Sequence, residues 1–143
     1  MKPMRQMVCA LLAVTLLIPA AAASPGSGNP LWDVQGHWAQ KEIQEAVAAG
    51  WVDGYPDGSF QPEKTITRAE FTVIAMRFAD LDTSGENIFT DVNAGDWFYD
   101  QVVGSIRYGW INGYEDGTFR PNNTITRAEV TTIVNRMLGR AAD

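Results

Sequence analysis

Trp51-Val-Asp-Gly-Tyr-Pro-Asp-Gly-Ser-Phe-Gln-Pro-Glu-Lys-Thr-Ile-Thr-Arg-Ala-Glu70 returns 59 residues later as Trp110-Ile-Asn-Gly-Tyr-Glu-Asp-Gly-Thr-Phe-Arg-Pro-Asn-Asn-Thr-Ile-Thr-Arg-Ala-Glu129. Between 51–79 and 110–138, 16 of 29 aligned positions are identical, far more than chance supplies. A repeat of this kind is one supersecondary unit that cannot bury its apolar face alone, so the copies must stack. It points to a surface used in copies rather than to a single catalytic pocket.

Outward from that stretch, each copy reads helix–loop–helix, which makes the fold all-α. The first helix of the first copy is predicted over about 38–49, with Ile43 and Val47 one turn apart and Ala39 and Ala46 beside them. Val102 and Ile106 repeat the pattern. Gly50 and Gly109 follow as the residues that close these helices in a left-handed conformation. In the second helices Phe71, Ile74, Ala75 and Phe78 keep one apolar face, and Val130, Ile133, Val134, Met137 and Leu138 extend it. Both stripes are expected in the core. Tyr55-Pro56-Asp57-Gly58 fits a type I turn with a left-handed exit, and Glu115 replaces Pro56 in the second copy. Phe60 and Phe119 are expected to return the loop to the core, while Pro62 and Pro121 keep the chain extended before the next helix.

The first 23 residues read as a secretory signal peptide. Lys2 and Arg5 form a positive start, Val8 to Ile18 an apolar run, and Ala21-Ala22-Ala23 a small-residue cleavage site. Residues 24–30 form a flexible leader, 31–81 the first unit, 82–87 a polar linker, 88–139 the second unit and 140–143 a tail. Cys9, the single cysteine, lies inside the signal peptide, so the secreted chain is expected to be stable by packing without a disulfide. Cleavage leaves 143 − 23 = 120 residues with a net charge of 9 − 17 = −8. Such a chain has no long-range attraction for nucleic acid or anionic lipid, and no later stretch is long and apolar enough to span a bilayer. The five tryptophans, at 32, 38, 51, 97 and 110, suit either core anchors or sugar-stacking surfaces.

Thr67-Arg68-Ala69-Glu70 and Thr126-Arg127-Ala128-Glu129 are capping boxes, for which helix capping suffices to explain Thr and Glu. Arg68 and Arg127 sit at the first helical position, where the helix dipole disfavours a cation by several tenths of a kcal/mol. Two roles stand open for them: holding an anion beside free helix-start amides, or pairing with a neighbouring acid to pin the loop. Trp51 and Trp110 follow the closing glycines and either pack back on the helix end or offer a ring face to a sugar. Asp57 and Asp116 either cap their own turns or contact a ligand, with capping the expected role. Asp33 and Asp91 recur before each first helix, for helix-start hydrogen bonding or for a site. Asp53 to Gly58 superficially matches the start of a calcium loop, but position 12 of such a loop would be Lys64 here and Asn123 in the second copy. No metal or cofactor is therefore expected. His37, the single histidine, has Asp96 as its counterpart, so both read as helix-start residues. No nucleophile elbow, phosphate loop or metal-ligand spacing points to an enzyme.

Trp32-Asp-Val-Gln-Gly-His-Trp-Ala39, Gly54-Tyr-Pro-Asp-Gly-Ser-Phe60 and Ile66-Thr-Arg-Ala-Glu-Phe71 together resemble a surface-layer homology (SLH) motif. Thr90-Asp-Val92, Gly113-Tyr-Glu-Asp-Gly-Thr-Phe119 and Ile125-Thr-Arg-Ala-Glu-Val130 resemble a second. The resemblance implies an all-α, three-pronged spindle in incomplete, two-unit form. It implies non-covalent binding of bacterial wall polysaccharide, commonly a pyruvylated secondary cell-wall polymer linked to peptidoglycan, and so a secreted protein of the cell envelope. By resemblance the acidic glycan meets Arg68 and Arg127, with Asp33, Asp91, Gly54 and Gly113 also important; Trp51 and Trp110 join them as candidate sugar contacts. Two motifs in place of three leave an apolar face to cover. The expected partner, besides the polymer, is another copy of this chain or another SLH protein that it completes or regulates.

Overall fold

The computed structural model describes residues 31–140; the signal peptide, the 24–30 leader and residues 141–143 of the tail lie outside the described residues. A short 3-10 turn, Trp32–Val34, precedes four helices: α1 Gln40–Ala48, α2 Arg68–Ala79, α3 Tyr99–Arg107 and α4 Arg127–Met137. The described residues contain no strand, so the fold is all-α, with α1 and α2 in the first repeat and α3 and α4 in the second.

The local chemistry of the repeat is written twice in hydrogen bonds. Glu70 N donates to Thr67 Oγ1 at 3.2 Å while Thr67 N donates back to Glu70 Oε2 at 2.6 Å. Thr126 and Glu129 repeat both bonds at 3.2 and 2.8 Å. After α1, Gly50 takes φ +75° and Trp51 N reaches Ala46 O at 3.0 Å, the Schellman closure that a left-handed residue permits. Gly109 closes α3 at φ +67°. The loop turns form as expected, Gly58 N to Tyr55 O at 2.9 Å and Gly117 N to Tyr114 O at 3.0 Å.

Two readings of the sequence need correction. The first helices start at Gln40 and Tyr99, so Trp38 and Trp97 stand in the turn before them, exposed. His37 Nδ1 accepts from Ala39 N at 3.2 Å, and Asp96 Oδ2 accepts from Asn93 N at 2.7 Å. These bonds bend the chain ahead of the helix. The buried face of α2 is also rotated from the expected one. It consists of Ala69, Thr72, Val73, Ala75 and Met76, while Phe78 is 58 % exposed. The helix is apolar on several sides, and docking against α3 selects the side with small residues and Met76. In α4 only Ile133 is buried.

One cluster forms the core: Ala69, Val73 and Met76 of α2, Val102 of α3, Ile133 of α4, and Phe89, Val92, Phe98, Trp110, Ile111 and Phe119 from the segments between. It belongs to the second repeat plus the first repeat's long helix, so the repeats are unequal. Phe119 is fully buried, whereas its counterpart Phe60 is half-buried. A Phe→Ala truncation costs about 3–5 kcal/mol at a well-packed site and less where solvent already reaches the ring. Phe119→Ala is therefore expected to lose about 3 kcal/mol or more in urea denaturation, and Phe60→Ala less than half of that.

Candidate functional site: two equivalent grooves

In both repeats an aspartate ahead of the first helix holds the loop ahead of the second. Asp33 accepts from Phe60 N at 2.8 Å and Gln61 N at 2.6 Å; Asp91 accepts from Phe119 N at 2.7 Å and Arg120 N at 2.8 Å. Each pair of bonds pins a non-glycine residue, Gln61 or Arg120, at φ +58°. Such a left-handed residue persists only when its surroundings over-determine it. Burial raises the Asp33 carboxyl, but the two loop amides outweigh it and lower its pKa. Gly54 and Gly113 serve the same loop by close approach. A Cβ on Gly54 would lie 2.4 Å from a Leu31 methyl, and one on Gly113 2.4 Å from the Phe89 ring. Asp57 and Asp116 cap their turns through Ser59 and Thr118.

This scaffold leaves a groove in each repeat between the loop and the second helix. The repeat 1 groove, of about 300 Å³, is walled by Trp51, Tyr55, Ile66, Glu70 and Arg77, with Trp97 contributed by repeat 2. The repeat 2 groove, of about 430 Å³, is walled by Trp110, Tyr114, Glu129, Ile133 and Arg136, with Arg68 contributed by repeat 1. Gly54 and Gly113 line the two floors. Trp110 is buried, while Trp51 stays 38 % exposed with its edge against Phe78.

The two arginines diverge in the same way. Arg68 is only 6 % exposed. Its Nε donates to Phe119 O at 2.9 Å and its Nη1 to Glu129 Oε1 at 2.7 Å, and its guanidinium lies over the Tyr114 and Phe119 rings. The α2 start does not present free amides either. Arg68 N donates to Asn123 O at 2.9 Å and Ala69 N to Pro121 O at 3.1 Å. Arg127 is exposed, lines neither groove and makes no ion pair among the described residues.

Glu129 is the hub of groove 2. Its Oε1 accepts from Arg68 and from the Tyr114 hydroxyl at 2.7 Å, and its Oε2 from Thr126 N at 2.8 Å. Partial burial pushes this carboxyl up, but the Thr126 amide, the Tyr114 hydroxyl and Arg68 outweigh it and hold the pKa at about 2. Accepting the Tyr114 proton raises that phenol in turn. Groove 1 has the same parts without a counterpart of Arg68. Tyr55 donates to Glu70 Oε1 at 3.0 Å, and Lys64 lies over the Tyr55 ring. Tyr55, Tyr114, Arg77 and Arg136 were not singled out by the sequence reading, although each recurs at the 59-residue spacing. Arg136 donates to Trp110 O at 3.1 Å, while Arg77 pairs with Asp53.

Aromatic walls beside guanidinium donors and carboxylate acceptors suit a polar ligand with apolar ring faces. A model of the S-layer homology domain matches residues 33–72 and 88–131. The chain belongs to the S-layer homology family. SLH domains are non-catalytic anchoring domains that bind cell-wall polymers, which places the chain at the cell envelope. It is 36 % identical over 128 residues to cell surface glycoprotein 1 of Acetivibrio thermocellus, covering 80 % of this chain and 5 % of that protein. To the cellulosome-anchoring protein of the same organism it is 37 % identical over 109 residues, covering 73 % of this chain and 24 % of that protein. To the surface-layer 125 kDa protein of Lysinibacillus sphaericus it is 33 % identical over 125 residues, covering 87 % of this chain and 10 % of that protein. The chain thus spans a quarter or less of the length of these relatives. None of the helices among the described residues is long and apolar enough to cross a membrane.

Removing one member of a buried ion pair strands the other, at about 3–5 kcal/mol when burial is complete. Glu129 retains some solvent contact, so Arg68→Ala is expected to cost about 2–3 kcal/mol in urea denaturation, and Arg127→Ala within about 0.5 kcal/mol of zero. The Glu129 pKa is depressed from 4.5 to about 2, so its contribution is present above pH 4.5 and is lost as pH falls toward 2. Acid denaturation should follow that window, and Glu129→Gln should flatten it.

Proposed function

We propose that this chain is a non-catalytic module that anchors to the cell envelope by binding an acidic, pyruvylated wall polysaccharide in its two grooves. The observation that carries the reading is the repeat 2 groove, where Arg68 faces a cavity walled by Trp110, Tyr114 and Arg136. A guanidinium has five N–H donors, and Phe119 O and Glu129 use only two of those on Arg68. The others are available to a pyruvyl carboxylate. Arg127 supplies a second, solvent-facing cation at the other long helix. Trp51 and Trp110 wall the sugar path, while Asp33, Asp91, Gly54 and Gly113 act by holding the loops in shape. An acidic chain meeting an acidic polymer is repelled at long range, so recognition has to come from local guanidinium contacts that outweigh net charge. The cellulosome-anchoring relative supports the anchoring role.

The test is co-sedimentation with purified wall sacculi and with wall polymer before and after removal of its pyruvyl groups. Arg68→Lys keeps the charge near Glu129 but loses the planar fork. The intact polymer is expected to bind at least about tenfold more tightly than the stripped one, the worth of one charge-assisted contact. Arg68→Lys should lose most of that difference while keeping a native circular dichroism spectrum. Equal binding to both polymers rejects the acidic-substituent reading.

A further inference from the structure

The junction between the repeats is directional, and each of its halves recurs unfilled at the outer ends. Repeat 1 sends Arg68 into the repeat 2 groove, where it meets Phe119 O and Glu129. Repeat 2 sends Trp97 to wall the repeat 1 groove. Backbone bonds seal the joint, from Arg68 N to Asn123 O, Ala69 N to Pro121 O and Ile125 N to Ile66 O. Displacing each group by the 59-residue repeat describes a second joint. Arg127 would enter a repeat 1 groove beside Tyr55 and Glu70, and Trp38 would wall a repeat 2 groove. The amides of Arg127 and Ala128 would face the carbonyls of Lys64 and Pro62.

Among the described residues that second joint does not form. Trp38 is 85 % exposed, and Arg127 and Ala128 are exposed where Arg68 and Ala69 are buried. Its receptor is nonetheless assembled. Tyr55 already donates to Glu70 as Tyr114 does to Glu129, and the Glu70 carboxyl is held below its ordinary pKa by the Thr67 and Tyr55 bonds, which outweigh its burial. The half-buried Phe60 lacks the guanidinium that covers Phe119.

We propose that the occupant is a second copy of this chain, docked head to tail. Its Arg127 enters the repeat 1 groove and pairs with Glu70, and Trp38 of the first copy walls the second copy's repeat 2 groove. Charge complementarity sets the polarity, with a free guanidinium at one end and an ionised carboxylate under a tyrosine at the other. The contact is heterologous, so copies add in one direction until a ring closes. It is also more polar than the internal joint, because Asn135 stands where Met76 does and Gln44 where Val103 does. The association is therefore reversible and salt-sensitive rather than obligate.

Sedimentation velocity of the purified chain across the micromolar range, without glycan, tests this independently of wall binding. The mass is expected to rise with concentration and to fall when salt is raised. Arg127→Glu and Trp38→Ala, both at exposed positions that leave the fold intact by circular dichroism, should each return the chain to monomer. A wild-type chain that stays monomeric throughout overturns the proposal. So does association that survives unchanged in both variants.

Discussion

The contact between Arg68 and Glu129 is the constraint on which the rest of this structure depends. A cation at the first position of a helix opposes the helix dipole. Here α2 accepts that arrangement because repeat 2 answers it twice. Its loop carbonyls at Asn123 and Pro121 take the helix-start amides, and its Glu129 takes the guanidinium. The same carboxylate caps α4 and receives the Tyr114 hydroxyl. One side chain therefore ties together the joint between the repeats, the start of a helix and the wall of a groove.

Much of the fold was legible because its chemistry is local. A Thr followed three residues later by Glu, a glycine after an apolar turn and a Tyr-x-Asp-Gly loop each specify bonds within a few residues, and all of them form. What escaped the sequence depends on neighbours. Apolar residues surround α2, so periodicity had no basis for preferring Ala69, Val73 and Met76 over Phe71, Ile74 and Phe78; contact with α3 decides it. The late starts of α1 and α3 depend on turn bonds at His37 and Asp96, whose side chains also suit a helix cap.

The candidate site shows the same division more sharply. Identical Thr-Arg-Ala-Glu tetrapeptides yield one arginine sealed against an acid and one facing solvent, because Arg68 enters the neighbouring repeat and Arg127 enters none among the described residues. Of the two roles set out for Arg68, internal pairing is the one observed: Glu129 pins it, and its remaining donors border a groove, where anion recognition is the proposal. Asp33 and Asp91 spend both carboxylate oxygens on loop amides, and Gly54 and Gly113 have no room for a side chain. Their observed part is to hold the loops in shape. The tyrosines and the arginines at 77 and 136 were visible only as repeated letters, since nothing in a local pattern says which repeated residues border a cavity.

The central claim is that a side chain holding the repeats together also recognises the ligand. The most direct measurement follows the Arg68 guanidinium resonances by NMR while a pyruvylated wall fragment is titrated in. The account predicts a saturable shift at Arg68 with the Thr126 amide of the α4 capping box unmoved, because the ligand uses donors that Glu129 leaves free. Saturation binding that leaves the Arg68 signals in place would contradict it, and would confine that arginine to holding the repeats together.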